Sequence, residues 1–112
     1  MTYEAFEVVV VPFPFTDKPA SKHRPGVVIS NGTVFNQPSG HVVLAMITSL
    51  KNAPWPLDVP ILDLAKAGLP TPSKVRMKLF TLDELLILRK AGRLAPEDRD
   101  KVQDSLRRLL AL

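Results

Sequence analysis

The stretch EVVVVPF, residues 7–13, decides the fold of this chain. Its four consecutive valines are β-branched, which favours a strand, and an apolar run without polar alternation is typical of a strand buried on both faces. Pro12 cannot donate a hydrogen bond to a neighbouring strand, so the strand is expected to end or leave the sheet there. The stretch therefore predicts a β-strand with packing on both sides.

Four further segments have the composition of β-strands, because apolar and β-branched residues either run together in them or alternate with other residues. These segments are residues 24–30, 41–48, 54–61 and 72–80. Residues 54–61 have the alternation expected of an edge strand with one buried face. Residues 81–89 fit a strand and a helix equally well, and the dipeptide Asn31-Gly32 predicts a tight turn.

The C-terminal segment has the pattern of a helix. Pro96 suits the first helical position, and Glu97 and Asp98 suit the positive end of the helix dipole. One apolar stripe contains Val102, Leu106, Leu109 and Leu110. Ala95 is a poor N-cap, so the start of this helix is expected to fray. Residues 62–69 predict at most one short helical turn.

The order of these elements predicts the fold class. Five or six short strands followed by one helix indicate a mainly β fold with a C-terminal helix, in which the helix covers one opening of a small curled sheet or barrel. The chain of 112 residues has the length of one domain, 1–112, and no repeat or low-complexity segment divides it.

The composition limits the class of protein. The absence of cysteine excludes disulfides and thiolate zinc sites and favours the cytoplasm. Acidic residues near the N-terminus disfavour a secretion signal, and the longest apolar run is too short to span a membrane. His23 and His41 are not part of a metal-binding pattern, so no metal or other cofactor is predicted. The net charge of +4 favours anionic partners such as nucleic acid.

Arg24 is the first candidate for a functional residue. It precedes Pro25, which biases it towards an extended backbone, and a planar, permanently charged guanidinium group suits a phosphate. The alternative interpretation is that Arg24 is a surface residue that forms an ion pair with Asp17. Thr48 and Ser49 end another strand, where hydroxyl groups either cap a turn or share a pocket with Arg24 if the strand ends converge.

Basic and aromatic residues elsewhere leave a similar choice. The cations in question are Lys18 and Lys22 in one loop and Lys74, Arg76 and Lys78 along one strand. They form either an RNA-binding surface or an ordinary solvated face. Phe15 and Trp55 stand beside prolines at strand ends, where an aromatic ring either stacks on a base or belongs to the core.

Taken in order, four segments of the sequence resemble the MazF/PemK toxins of bacterial type II toxin–antitoxin systems. They are VPFPFTD at residues 11–17, the Arg24-Pro25 strand start, Thr48-Ser49 after an apolar strand, and Pro72-Ser73 before the next strand. The resemblance runs from about Glu7 to Leu110. It implies a small SH3-like β-barrel of the Kid/CcdB/MazF type, usually a homodimer, and a metal-independent endoribonuclease that cuts single-stranded RNA, mostly mRNA.

The resemblance also implies roles for individual residues. Arg24 corresponds to the catalytic arginine and Thr48 to its partner hydroxyl, while the 2′-hydroxyl of the RNA attacks the adjacent phosphate. Further candidates for acid–base chemistry are His23, Arg76 and Ser49. In the Kid branch an acid follows, two residues after the arginine that Arg76 matches, where this chain has Lys78. The predicted RNA contacts are Lys18, Lys22, Phe15, Lys74 and Lys78.

The resemblance implies two partners besides a second copy of the chain. One is single-stranded RNA, and the other is a cognate antitoxin whose acidic, partly disordered C-terminal segment lies across the basic groove. A different class of function fits the same fold: a non-catalytic barrel that inhibits a protein target, as CcdB inhibits gyrase, or that only binds RNA or a partner peptide.

Overall fold

The structure is a computed structural model that describes residues 2–12 and 23–112. Its strands are β1 (Glu7–Pro12), β2 (His23–Val28), β3 (His41–Ser49), β4 (Val59–Pro60), β5 (Ser73–Asp83) and β6 (Arg89–Arg93). Its helices are α1 (Gln37–Ser39), which continues a π-helical turn (Gly32–Asn36), α2 (Leu64–Ala67) and α3 (Pro96–Leu109), with a 3-10 turn at Glu84–Leu86. No helix within these described residues is long and apolar enough to cross a membrane.

All neighbouring strands are antiparallel, and in the described part of the chain they form one sheet in the order β4-β5-β3-β2-β1-β6. The sheet curls into a half-barrel and α3 packs against it. The predicted mainly β fold with a C-terminal helix is therefore confirmed.

Both faces of the sheet carry an apolar cluster, as the valine run of β1 predicts. Val8 and Val9 are adjacent in sequence, completely buried, and members of different clusters. The face that contacts α3, which we call the helix face, carries Val8, Val27, Ala45, Ile47 and Val75, and Val102 of α3 joins the same cluster. The opposite face, the far face, carries Val9, Val11, Val28, Val42, Leu44, Leu82 and Ile87.

Helix α3 begins at Pro96 as predicted, but its first turn is anchored and not frayed. Ala95 gives no side-chain cap, whereas Asp98 is buried and accepts hydrogen bonds from the backbone amides of Leu62 and Asp63, both at 3.0 Å. The apolar stripe is shorter than predicted. Val102 and Leu106 contact the helix-face cluster, while Leu109 and Leu110 are exposed because the cluster ends before them.

The predicted edge strand at residues 54–61 is wrong for most of its length, since only Val59 and Pro60 pair with β5. Leu57 has a positive φ of 69°, which a strand does not allow. The backbone amide of Asp58 donates to the carbonyl of Trp55 at 3.3 Å, which turns the chain back before β4. The prolines of this segment cannot donate to a sheet, which favours the turn.

One other expectation is corrected, and one open alternative is resolved. Asn31-Gly32 is not a two-residue hairpin turn, because the Asn31 side chain accepts hydrogen bonds from the amides of Thr33 and Val34 and caps a helical segment. The ambiguous residues 81–89 divide between the end of β5, a 3-10 turn and the start of β6. Strand β6 is missed by the sequence because its RKAGR segment has no apolar alternation and forms only by pairing with β1.

The pairing of β3 with β5 shifts between Ala45 and Met46, where β5 carries two extra residues. Such a bulge increases the local twist of a sheet. Because side chains alternate with a period of two, an even insertion keeps Arg76 on the same face as Phe80, which packs against the far-face cluster.

Replacing Asp98 by alanine removes two charge-assisted hydrogen bonds and leaves two backbone amides without an acceptor. We expect the Asp98→Ala variant to lose about 2 kcal/mol of unfolding free energy, measured by urea denaturation. The matched control is Glu97→Ala, because Glu97 is exposed in the same helical turn. Equal effects of the two substitutions would contradict the anchoring role of Asp98.

Candidate active site

The register of the sheet brings Arg24 and Thr48 to the far face. Arg24 pairs with Val11, a member of the far-face cluster. The last pair between β2 and β3 is Gly26 with Met46. Continuing that register by two residues puts Arg24 across from Thr48. The two residues therefore lie opposite each other on the same face of the sheet. This is the arrangement that a pocket shared by Arg24 and Thr48 requires.

Neighbouring candidates lie on the other face. His23 precedes Arg24 in β2 and is exposed, and alternation along the strand directs its side chain towards the helix face. The same alternation separates Ser49 from Thr48. Ser49 pairs with Ser73 at the ends of β3 and β5. The structure thus separates His23 and Ser49 from the row that contains Arg24 and Thr48.

The hydroxyl group of Thr48 is held in a defined orientation. Thr48 is buried, and its Oγ1 accepts a hydrogen bond of 2.7 Å from Nδ2 of Asn52. An amide Nδ2 can only donate, so Oγ1 is the acceptor in this contact. The Asn52 contact occupies an acceptor position and leaves the hydroxyl proton to be donated to a bound group.

Strand β5 adds two cations to the far face, Lys74 and Arg76, and both side chains are buried. Lys74 pairs with Thr48 and Arg76 with Met46, so both lie on the far face. One carboxylate serves both of them: Oδ2 of Asp58 is 3.1 Å from Nζ of Lys74 and 3.1 Å from Nη2 of Arg76. Two buried cations this close need a buried anion, because unpaired charges are costly in the interior.

The same cations hold the segment between β3 and β4 against the sheet. Nζ of Lys74 donates to the carbonyl of Asn52 and Nη2 of Arg76 donates to the carbonyl of Ala53, both at 2.6 Å. Because Asn52 also contacts Thr48, these bonds form one continuous polar cluster. It consists of Thr48, Asn52, Asp58, Lys74 and Arg76.

The protonation of Asp58 follows from these contacts. Burial raises the pKa of its carboxyl group, but hydrogen bonds from Arg76, from the backbone amide of Trp55 and from Lys74 lower it, as does the charge of Arg76. The balance leaves the pKa of Asp58 below its ordinary value. Asp58 is therefore an anion near neutral pH and a weak base.

Asp58 was not singled out from the sequence, because this residue lies within residues 54–61, which were interpreted as an edge strand with one buried face. One feature of the sequence does indicate that such an acid is needed. Along β5, Lys74, Arg76 and Lys78 occupy alternate positions with no acidic residue among them. Cations that face inward from one strand require an anion from elsewhere in the chain, and Asp58 supplies it.

The far face is strongly cationic around this cluster. Alternation along β5 places Lys78 on the same face as Arg76. Arg24 lies on this face too, in the row of Thr48 and Lys74, which is next to the row of Arg76. Among the described residues, the four cations Arg24, Lys74, Arg76 and Lys78 share this region with the carboxylate of Asp58, so cations outnumber carboxylates there. The predicted contacts Phe15, Lys18 and Lys22, and the alternative partner Asp17, lie outside the described residues.

The described residues contain no group of three or more histidine, aspartate or glutamate side chains arranged to hold a metal ion. What the described far face offers is donors: a guanidinium group at Arg24, an oriented hydroxyl group at Thr48, and a cationic background. This donor set suits a phosphate group, whose oxygens accept hydrogen bonds and carry negative charge.

Comparisons with known proteins agree with this fold. A model of the PemK-like, MazF-like toxins of type II toxin–antitoxin systems matches residues 4–110. A search of curated proteins gives no significant match. Several solved structures resemble the whole chain at low sequence identity.

Three of these structures illustrate the likeness. A mycobacterial endoribonuclease in complex with its cognate antitoxin has a TM-score of 0.76 and 18% identity, over 99% of this chain and 95% of that one. The MazE–MazF complex of Deinococcus radiodurans has a TM-score of 0.76 and 17% identity, over 100% and 98%. The toxin MazF-mt6 of Mycobacterium tuberculosis has a TM-score of 0.71 and 19% identity, over 95% and 97%.

Removing the Asp58 carboxylate leaves two buried cations without their anion. We expect Asp58→Ala to lower the unfolding free energy at neutral pH by about 3 kcal/mol, measured by urea denaturation. The matched control is Asp100→Ala, which removes an exposed ion pair and is expected to change stability by less than about 1 kcal/mol.

The same two variants test the pH dependence. A pKa that is lower in the folded chain means that Asp58 contributes stability above about pH 4, and that this contribution is lost as the pH falls through the lowered pKa. The difference in stability between the wild type and Asp58→Ala should therefore shrink in acid. A difference that stays constant down to acidic pH would contradict the ion pairing.

Proposed function

Because the chain belongs to the PemK-like, MazF-like toxins of type II toxin–antitoxin systems, we propose that it is an endoribonuclease that cleaves single-stranded RNA, chiefly mRNA. The observation that carries the proposal is the row of donors on the far face. Arg24, Thr48 and Lys74 share one row of three neighbouring strands, and Asn52 orients the Thr48 hydroxyl group. A phosphate bound there meets a guanidinium group and a hydroxyl donor together.

The proposed reaction uses a nucleophile that belongs to the substrate. The ribose 2′-oxygen forms a bond to the adjacent phosphorus and loses its proton to solvent, while the bond from phosphorus to the 5′-oxygen breaks and that oxygen gains a proton. The products are a 2′,3′-cyclic phosphate and a 5′-hydroxyl. The protein's task is to position the phosphate and stabilise the charge that develops on its oxygens.

The residues divide this task. The guanidinium group of Arg24 binds the non-bridging phosphate oxygens, and the hydroxyl group of Thr48 donates to one of them. Arg76 and Lys74 act mainly through the polar cluster, because both are committed to Asp58. The proposal gives His23 and Ser49 no part in the reaction, because alternation directs both side chains to the opposite face.

The proposal includes the partners expected of such a toxin. The excess of positive charge on the far face supports an antitoxin whose acidic, partly disordered segment covers the RNA site, since oppositely charged surfaces associate rapidly and specifically. Exposed leucines at positions 85, 86 and 88 offer apolar surface for a homodimer. Because the proposed substrate is mRNA, we propose that the protein acts in the cytoplasm.

Cleavage of single-stranded RNA tests the proposal directly. The purified protein is incubated with single-stranded RNAs of varied sequence in the presence of a chelator, and the products are tested for 5′-hydroxyl ends. We expect cleavage, and a loss of about 100-fold or more for Arg24→Ala, because Arg24 stabilises charge in the transition state. A 2′-deoxynucleotide at the cleaved position should block the reaction.

The matched control is Arg99→Ala, which removes an exposed arginine on α3 and should leave the rate unchanged. A wild type that cleaves none of the RNAs would favour the non-catalytic alternative. Cleavage that survives Arg24→Ala would show that the site lies elsewhere, and cleavage abolished by the chelator would show that a metal takes part.

A further inference from the structure

Trp55 is a large aromatic side chain that the polar cluster holds at the surface. It is the single tryptophan of the chain and is 45% exposed. It lies in the segment between β3 and β4, three residues after Asn52, which contacts the hydroxyl group of Thr48. An exposed tryptophan beside a polar site has a large apolar face in contact with water, which is a cost to the protein unless something binds it.

Two cations lie over the Trp55 ring. The guanidinium carbon of Arg76 is 4.7 Å from the ring centroid, and Nζ of Lys78 is 5.9 Å from it. Both side chains belong to the same face of β5. Part of the Trp55 surface remains in contact with solvent, and we call the ring face opposite Arg76 its outer face.

The backbone that carries the ring is fixed. The amide of Trp55 donates to Oδ2 of Asp58 at 2.9 Å, and Arg76 bonds both Asp58 and the carbonyl of Ala53. Arg76 thus both fixes this segment through hydrogen bonds and contacts the indole ring. A ring held in this way loses little conformational freedom when a ligand stacks on it.

We propose that the outer face of Trp55 is a stacking platform for one base of single-stranded RNA. The bound base, the indole ring and the guanidinium group of Arg76 then form a three-layer stack. The proposal rests on the proposed endoribonuclease function, because it places this base next to the phosphate held by Arg24 and Thr48. Stacking accepts any base, so Trp55 serves affinity and positioning more than recognition of a sequence.

Single-stranded RNA is the occupant that the surroundings favour. Stacking on aromatic side chains is the usual way in which proteins hold unpaired bases, and it works together with cations that bind the backbone. Here the cations of the far face lie on the same side of the sheet as the ring. A duplex has its bases already stacked on one another, so it offers no free base face to Trp55.

Because Trp55 is the single tryptophan, its fluorescence reports on the platform without any substitution. The protein is titrated with a 2′-O-methyl RNA oligonucleotide, which binds but lacks the attacking hydroxyl group. We expect saturable quenching of the fluorescence and no such quenching by the same oligonucleotide annealed to its complement. Abasic sites introduced one position at a time should abolish the quenching at one position only.

Variants provide the second measurement, with affinity read from the anisotropy of a labelled oligonucleotide. Trp55→Ala should weaken binding about tenfold or more, and Trp55→Phe, which keeps a ring, by less. Trp55→Leu keeps apolar bulk without a ring and should resemble the alanine variant. Leu50→Ala, another exposed apolar residue before Asn52, is the matched control and should bind like the wild type.

The outcomes separate the platform from the nuclease. Quenching that persists at every abasic position would mean that only the backbone is bound, and would overturn the platform. Wild-type affinity in Trp55→Ala would overturn it as well, even if the protein cleaves RNA. Saturable, base-dependent quenching by a protein that cleaves no RNA would support the platform while the proposed nuclease fails.

Discussion

The structure depends on a sheet that is apolar on both faces. Adjacent residues of one strand, Val8 and Val9, are fully buried on opposite sides, so each face needs its own cover. Helix α3 covers one face, and its own Val102 is fully buried in that contact. The other face is covered only in part, and its apolar cluster ends where polar side chains begin. The candidate site lies at that boundary.

The boundary is stable because one anion is shared between two cations. Lys74 and Arg76 occupy positions on β5 that would otherwise belong to the apolar cluster, and Asp58 compensates both. The chain segment that brings Asp58 therefore becomes a fixed wall of the site and not a mobile connection. This wall orients Thr48 through Asn52, so the electrostatics of the interior and the geometry of the surface are set by the same contacts.

The sequence predicted the parts of this structure that depend on local physics. Runs of β-branched residues gave most strands, and Pro96 with its acidic neighbours gave the start of α3. Strand β6 and the role of Asp58 were missed because both depend on residues distant in the chain: β6 forms only against β1, and Asp58 is fixed by cations 16 and 18 residues later. Asn31 was misread because a cap and a turn use the same residue types.

The site was predicted unevenly for the same reason. Arg24, Thr48 and Arg76 were singled out as candidates by residue type and strand position, and the family resemblance assigned their roles, whereas their common face follows only from the register of three strands. The separation of His23 from Arg24 needed nothing more than alternation along one strand. Trp55 was left between core and surface, because its exposure is decided by the turn at Leu57 and by its contact with Arg76.

The two extra residues of β5 constrain how this family member can evolve. The strand accommodates them beside Ala45 without moving its apolar or its cationic side chains to the wrong face. A single inserted or deleted residue at the same place would move the side chains on one side of it to the opposite face, unless a one-residue bulge absorbed it, as happens in β6 opposite Val8 and Val9. Changes of two residues therefore disturb the two faces of this strand least.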